Sequence, residues 1–339
     1  MESSRGLRIV CIGGGTGLST LLSGLKVYVG DHSADQTSPR IETLTAVVTV
    51  TDDGGSSGRL REEFQILPPG DIRNCMVALS EDELLMTRLF QYRFESEGDL
   101  SGHSFGNLFL AALAGVTGDF LEAIKVSSEV LAIKGRIYPS TAQDVSLVAE
   151  LEDGKVLRGE TNIVQSRSRI RRLWLSENCQ PLQETLEAIR QADLITIGPG
   201  SLYTSIIPNL LVDGIVGEIR GSRAVKVHIG NIMTQPGETE GFTLDDHLEV
   251  LSGYSGELEY DFILVNSTPI SDELREKYRS DGAVPVEPRA TGSISTYSQA
   301  SVVAADLLSE HGVVRHDPAK LAQLLLDVNR MTLELLCNA

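Results

Sequence analysis

Several stretches of the chain carry residue types suited to holding an anion or moving a proton. Gly13-Gly14-Gly15-Thr16-Gly17 follows the apolar run Leu7–Ile12 and precedes Leu18–Leu25, whose leucines have helical spacing. A strand entering a helix through glycines gathers free backbone N–H groups at the positive end of the helix dipole. A phosphate or carboxylate is the expected guest. The turn is neither a dinucleotide fingerprint, because Leu18 stands at the third glycine position, nor a Walker A loop, because no Gly-Lys-Ser/Thr follows. Gly198-Pro199-Gly200-Ser201 repeats the logic after Asp193–Ile197 and forms a second cradle. Between them lies an acidic bend, Asp52-Asp53-Gly54-Gly55-Ser56-Ser57-Gly58-Arg59. Asp52 and Asp53 can accept ribose hydroxyls, hold Mg²⁺ against a diphosphate, or cap the next helix. Ser56, Ser57 and Arg59 offer donors to phosphate oxygens.

Two further helix starts add polar groups. In Pro69-Gly70-Asp71-Ile72-Arg73-Asn74, Asp71 is placed to cap, and Arg73 and Asn74 fall in the first turn, where they can face the same crevice. In Gly102-His103-Ser104-Phe105-Gly106-Asn107, His103 is the candidate general base, set against a merely structural role, and Asn107 is either a cap or an amide that reads a base or sugar. Asp52, Asp53 and His103 are thus the catalytic candidates. The loop after Val225–Ile229 supplies Asn231, Thr234 and Gln235, which match base edges and sugar hydroxyls.

The elements that must position these groups alternate. Thr45–Thr51, Asp193–Ile197, Val225–Ile229 and Phe262–Asn266 read as strands, and 75–79, 81–94, 108–113, 186–192, 245–251, 301–308 and 318–336 as helices, with Asp317 and Pro318 opening the last. Gly30–Arg40 reads as a polar surface loop. Asp144–Glu160, turning at Asp153-Gly154, is a β-hairpin followed by the basic cluster Arg167, Arg169, Arg171 and Arg172. The expected fold is α/β: a Rossmann-like, doubly wound, mostly parallel sheet over residues 1–312, a hairpin lobe inserted at about 129–180, and a helical tail at 313–339.

With 339 residues, 41% hydrophobic and 22% charged, the chain can bury a large core. A net charge of −18 argues against a general nucleic-acid or membrane-surface role. The four cysteines, with no CxxC spacing, give no basis for a disulfide framework or zinc site and fit a reducing cytosol. No signal peptide or membrane-spanning run is evident, so a cytoplasmic protein is expected.

Six ordered motifs, Gly13–Gly17, Thr51–Arg59, Pro69–Asn74, Ser104–Asn107, Gly198–Thr204 and Asn231–Thr239, resemble the YvcK-type gluconeogenesis factors within the YvcK/CofD superfamily, over about residues 8–310. The resemblance implies a Rossmann-like fold that binds UDP-sugars such as UDP-N-acetylglucosamine or UDP-glucose. It also implies a role in cell shape and peptidoglycan synthesis under gluconeogenic growth, with protein partners in cell-wall synthesis. No required cofactor and no established reaction come with that group, and a homodimer is compatible with it. The motif residues carried over to the nucleotide are those of both glycine turns, Asp52, Asp53, Ser56, Ser57, Arg59, Arg73, Asn74, Ser104, Asn107, Asn231, Thr234 and Gln235. The related phospholactate transferases use Mg²⁺ and a nucleoside-diphosphate-linked donor, which gives the alternative function. Asn231–Thr239 departs from the Ser-Pro-Ile and Gly-Lys-Pro segment of those enzymes.

Overall fold

The computed structural model describes residues 6–30, 40–95, 97–256, 258–289, 300–309 and 312–337. The first half of the chain contains β1 (Leu7–Gly13), α1 (Gly15–Leu25), β2 (Ile41–Val48), α2 (Gly55–Phe64), α3 (Gly70–Leu79), α4 (Glu83–Phe90), α5 (Phe105–Thr117), α6 (Phe120–Val130) and β3 (Arg136–Pro139). An inserted lobe follows, with β4 (Leu147–Leu151), β5 (Val156–Arg158), α7 (Glu160–Ser166) and β6 (Ile170–Leu175). The second half has α8 (Gln183–Gln191), β7 (Leu194–Ile197), a π-helical turn (Leu202–Ile206) running into α9 (Ile207–Leu210), α10 (Ile215–Gly221), β8 (Val225–Ile229), α11 (Leu244–Ser255), β9 (Phe262–Asn266), α12 (Asp272–Ser280) and β10 (Ser301–Ala305). A two-stranded β11 (Leu308–Ser309) and β12 (Arg315–His316) then leads into α13 (Pro318–Cys337).

Seven strands form one sheet in the order β10-β9-β8-β7-β1-β2-β3, and every neighbouring pair is parallel. The expected doubly wound architecture is therefore present. β1 sits inside the sheet because its apolar run is buried on both faces: Ile9 and Cys11 pack on one side, Val10 and Ile12 on the other. The chain leaves β1 toward β2 on one side and later returns as β7 on the other. The crevice above the β1–β7 boundary is the switch point where ligands bind in such sheets. α1 is pinned beside it by Leu18, Leu21, Leu22 and Leu25, all fully buried, each contributing about 1.5–3 kcal/mol.

Three sequence expectations are corrected. Residues 301–308, read as a helix, form β10 and the start of β11: Val302 and Val303 are β-branched, and the run pairs in parallel with β9 at the sheet edge. The helix expected over 81–94 ends at Phe90. Arg136–Pro139, assigned to the hairpin lobe, pairs with β2 in the main sheet. The hairpin itself is present, with β6 as a third strand beside β4. In the C-terminal helix α13, Leu321, Ala322, Leu325 and Leu326 join the core against α1. Most of the loop read at Gly30–Arg40 lies outside the described residues.

Candidate functional site

The two glycine turns meet face to face. A methyl group built on Gly17 would lie 2.7 Å from the Pro199 carbonyl oxygen and 2.9 Å from the Gly200 nitrogen, so only glycine allows the approach. Asn209 holds the pair from beneath, its Nδ2 donating to the Gly13 carbonyl at 3.0 Å and the Ser205 carbonyl at 2.8 Å. The loop after β8 ties to the second turn: Asn231 Nδ2 donates to the Gly200 carbonyl at 2.9 Å and Gln235 Nε2 to Ser201 Oγ at 2.6 Å. Thr234 exchanges two bonds with the Val284 backbone. These groups border a crevice of about 370 Å³. Thr16 and Gly17 of the first turn line it, and so does an apolar cluster of Ile232, Met233 and Tyr278. Gly13 and Gly198 lie below it at the strand ends; Gly14, Gly15, Gly200, Ser201, Asn231, Thr234 and Gln235 line it.

A second cavity, of about 270 Å³, opens where the acidic bend meets α3. Asp52, Ser56, Ser57, Asp71, Arg73, Asn74 and Asn107 border it. Its floor is one connected buried network. Arg73 donates to Ser104 Oγ at 2.8 Å, to Asn107 Oδ1 at 2.9 Å and to Asn74 Oδ1 at 2.9 Å. Asn107 Nδ2 donates in turn to Ser56 Oγ at 3.1 Å, and Ser56 Oγ pairs with His103 Nδ1 at 3.0 Å. Burial lowers the Arg73 pKa from its ordinary value.

The sequence-predicted residues divide. Ser56, Ser57, Arg73, Asn74 and Asn107 come together as expected. Ser104 caps α5 through the Asn107 N–H and supports Arg73, without bordering the cavity. His103 is buried behind Ser56, and burial lowers its pKa, with nearby Arg59 adding to the effect. Arg59 is exposed and donates to the Ser101 carbonyl at 2.7 Å, which holds the loop before His103. Asp53 is directed to the lobe. Its Oδ1 accepts from both the N–H and the hydroxyl of Thr161, at 2.9 and 2.8 Å, in the first turn of α7.

The carboxylate that shares the cavity with Asp52 is Asp71, which the sequence presented only as a helix cap. Asp71 reaches back to the first glycine turn, where its Oδ2 accepts from the Gly15 N–H at 2.8 Å. Burial pushes its pKa up to about 6, and Asp52 adds to the shift. Two further buried acids are shifted, and Glu160 is close enough to feel Asp52, Asp71 and Glu238. Burial raises Glu160, with Asp52 and Asp71 contributing, and raises Glu238 to about 7. Sequence reasoning also missed Arg315 and His316 of β12, which line the first crevice. Their place follows from tertiary packing of α13 on α1, which no local pattern announces.

Among the described residues, no group of three or more His, Cys, Asp or Glu side chains is arranged to hold a metal ion. No single helix among them is long and apolar enough to cross a membrane. Cys11, Cys75 and Cys179 are buried free thiols, with Cys11 pushed up to about 12 by burial.

Comparison with known proteins places this geometry in a family. The family model described as 2-phospho-L-lactate transferase CofD matches residues 9–308. The gluconeogenesis factor of Bacillus subtilis is 48% identical over 328 residues, covering 95% of this chain and 98% of that protein. The putative gluconeogenesis factor of Aquifex aeolicus is 48% identical over 327 residues, covering 95% and 96%. A crystal structure of a UPF0052 family member from Bacillus halodurans superposes with a TM-score of 0.87 at 46% identity, covering 95% of this chain and 99% of that one. The chain belongs to the CofD family, among its gluconeogenesis factors of the YvcK type.

Proposed function

We propose that the protein binds a nucleoside-diphosphate sugar of the UDP-sugar class and acts as a ligand-dependent regulator of cell-wall synthesis during growth on gluconeogenic carbon. The carrying observation is the apposition of Gly17 with Pro199–Gly200. It brings both glycine turns and an apolar cluster to one crevice, and the first-turn N–H groups of α1, apart from that of Gly15, which Asp71 takes, are left for a ligand. A diphosphate fits the glycine turns, and a base and ribose fit the apolar residues, within reach of Asn231, Thr234 and Gln235.

Turnover would require a base poised beside an acceptor. His103 is engaged with Ser56 behind the cavity wall, and Asp53 is engaged with the lobe. Both support binding without reaction. The relatives' names, gluconeogenesis factor, agree with a regulatory role.

The second reading, a transferase acting on a nucleoside-diphosphate-linked donor, is favoured by the matching family model and by Asp52 and Asp71. These two carboxylates border one cavity and could hold Mg²⁺, which would neutralise charge on a diphosphate. Incubation with UDP-N-acetylglucosamine and Mg²⁺, followed by chromatography, separates the two readings. Intact ligand with measurable affinity supports the regulator, and multiple turnovers support the transferase.

A further inference from the structure

A third cavity, of about 330 Å³, lies against the outer side of α1, bounded by α3, α4 and the β12 segment. It is continuous with the first crevice through Thr16, Thr20, Arg315 and His316, which border both. It is continuous with the acidic cavity through Asn74. The Asp71–Gly15 hydrogen bond stands between the first crevice and the acidic cavity, and Thr16 lies on the edge that the crevice shares with this third space.

Its chemistry differs from that of the crevice. Three hydroxyls of α1 point along it: Ser19 and Thr20 donate to the Thr16 carbonyl at 3.1 and 2.8 Å, and Ser23 to the Thr20 carbonyl at 3.1 Å. Their protons are committed, and their oxygens remain acceptors. Asn74 Oδ1 accepts from Arg73, which leaves its amide hydrogens to donate. α4 adds the Thr87 hydroxyl and the Gln91 amide follows it. The charged residues of the lining are Glu83, paired with Lys26 at 2.6 Å, and Arg315 at the shared edge. Among the described residues that border it there is no Phe, Tyr or Trp ring on which a base could stack.

His316 gives the independent pointer. It is only 7% exposed, and its Nε2 is buried without a partner among the described residues. The other ring nitrogen is engaged by the Gly230 backbone, and burial lowers the pKa to about 4, so the neutral ring presents Nε2 as an acceptor. An orphaned buried acceptor at the boundary of two cavities is costly unless a ligand donor reaches it.

We propose that this cavity is the sugar subsite, holding the neutral, hydroxyl-rich ring of a nucleoside-diphosphate sugar while the nucleotide lies in the crevice that the glycine turns border. The inference rests on the nucleotide-sugar reading of the crevice. Alternating acceptors and donors with a nearly neutral charge suit sugar hydroxyls, and the lack of further cations disfavours a second phosphate.

The test compares UDP, UDP-glucose and UDP-N-acetylglucosamine by calorimetry on the whole chain, in wild type and in Thr87→Tyr, which fills the cavity from α4. Wild type binds at least one UDP-sugar about tenfold or more tightly than UDP, as one or two added hydrogen bonds allow. Thr87→Tyr erases that preference and keeps UDP affinity within about twofold. Should Thr87→Tyr melt early, Gln91→Ala is read instead, with a preference reduced about threefold or more. Equal affinity of wild type for UDP and UDP-sugars overturns the subsite, and so does an unchanged preference in a folded variant. Wild type that binds none of the three contradicts the nucleotide-sugar reading itself, a result distinct from loss of the sugar preference alone.

Discussion

The Asp71 carboxylate sits 2.8 Å from the Gly15 N–H, taking one of the first-turn donors that a glycine turn normally offers to a ligand phosphate. An internal carboxylate in that position divides the space above the sheet into a nucleotide side and an acidic side. It also places a negative charge next to any diphosphate. Removing the charge and keeping the acceptor, in Asp71→Asn, is expected to tighten binding of UDP severalfold, because like charges within a few ångströms repel. Weaker UDP binding by calorimetry in EDTA would show that the carboxylate supports the ligand.

The contact between the turns predicts an asymmetric pair of glycine variants. Gly17→Ala drives a methyl group into the Pro199–Gly200 backbone, which cannot move without parting the two turns. It is expected to cost about 1–3 kcal/mol of stability and to abolish detectable UDP-sugar binding. Gly115→Ala in α5 meets no atom within 4 Å and is expected to raise stability by about 0.5–1 kcal/mol with unchanged binding. Denaturant melts and calorimetry on both variants check the contrast. Equal behaviour would contradict the apposition.

Asp53 predicts a lobe effect without a ligand effect. Asp53→Ala leaves the Thr161 N–H and hydroxyl without their shared acceptor, at a cost of about 1–3 kcal/mol. Hydrogen exchange should speed up in residues 160–166, and UDP-sugar affinity should hold within about twofold. A large affinity loss with an unchanged exchange pattern would return Asp53 to the ligand.

Glu238 predicts a pH dependence. Burial raises its carboxyl from the ordinary 4.5 to about 7. The folded state therefore binds more protons than the unfolded state between those values. Stability is fullest at the acid end of that window and falls as pH rises through it, by up to roughly 3 kcal/mol. Glu238→Gln keeps an acceptor for the Thr204 hydroxyl and removes the titration. Its melting temperature should match wild type near pH 5 and exceed it near pH 8. A gap that does not change with pH would contradict the buried carboxyl.

The turns, the bend and the parallel sheet were legible because each is written in a continuous stretch: an apolar run, then glycines, then leucines at helical spacing. Ser56, Ser57, Arg73, Asn74 and Asn107 could be listed as site residues for the same reason, since each stands beside a glycine turn or in the opening turn of a helix. The partner of each was not legible. Asp71 looks like a cap in sequence and is a ligand of Gly15 across 56 positions of chain. Asp52 and Asp53 are adjacent and alike, yet their side chains alternate, one to the cavity and one to Thr161. Residues 301–305 carry too few positions to distinguish periods of 2 and 3.6, and only pairing with β9 decides them. His316 and Arg315 reach the crevice because α13 packs on α1, a tertiary fact with no local signature.

Whether the protein binds its nucleotide sugar without turning it over is read directly in one experiment. Purified protein is incubated with UDP-N-acetylglucosamine, with Mg²⁺ in one arm and EDTA in the other, while calorimetry reports affinity and chromatography follows UDP and free sugar. Stoichiometric binding in both arms, with the ligand recovered intact, is the expected result. Release of UDP over many turnovers in the Mg²⁺ arm would contradict it and assign Asp52 and Asp71 to transfer chemistry.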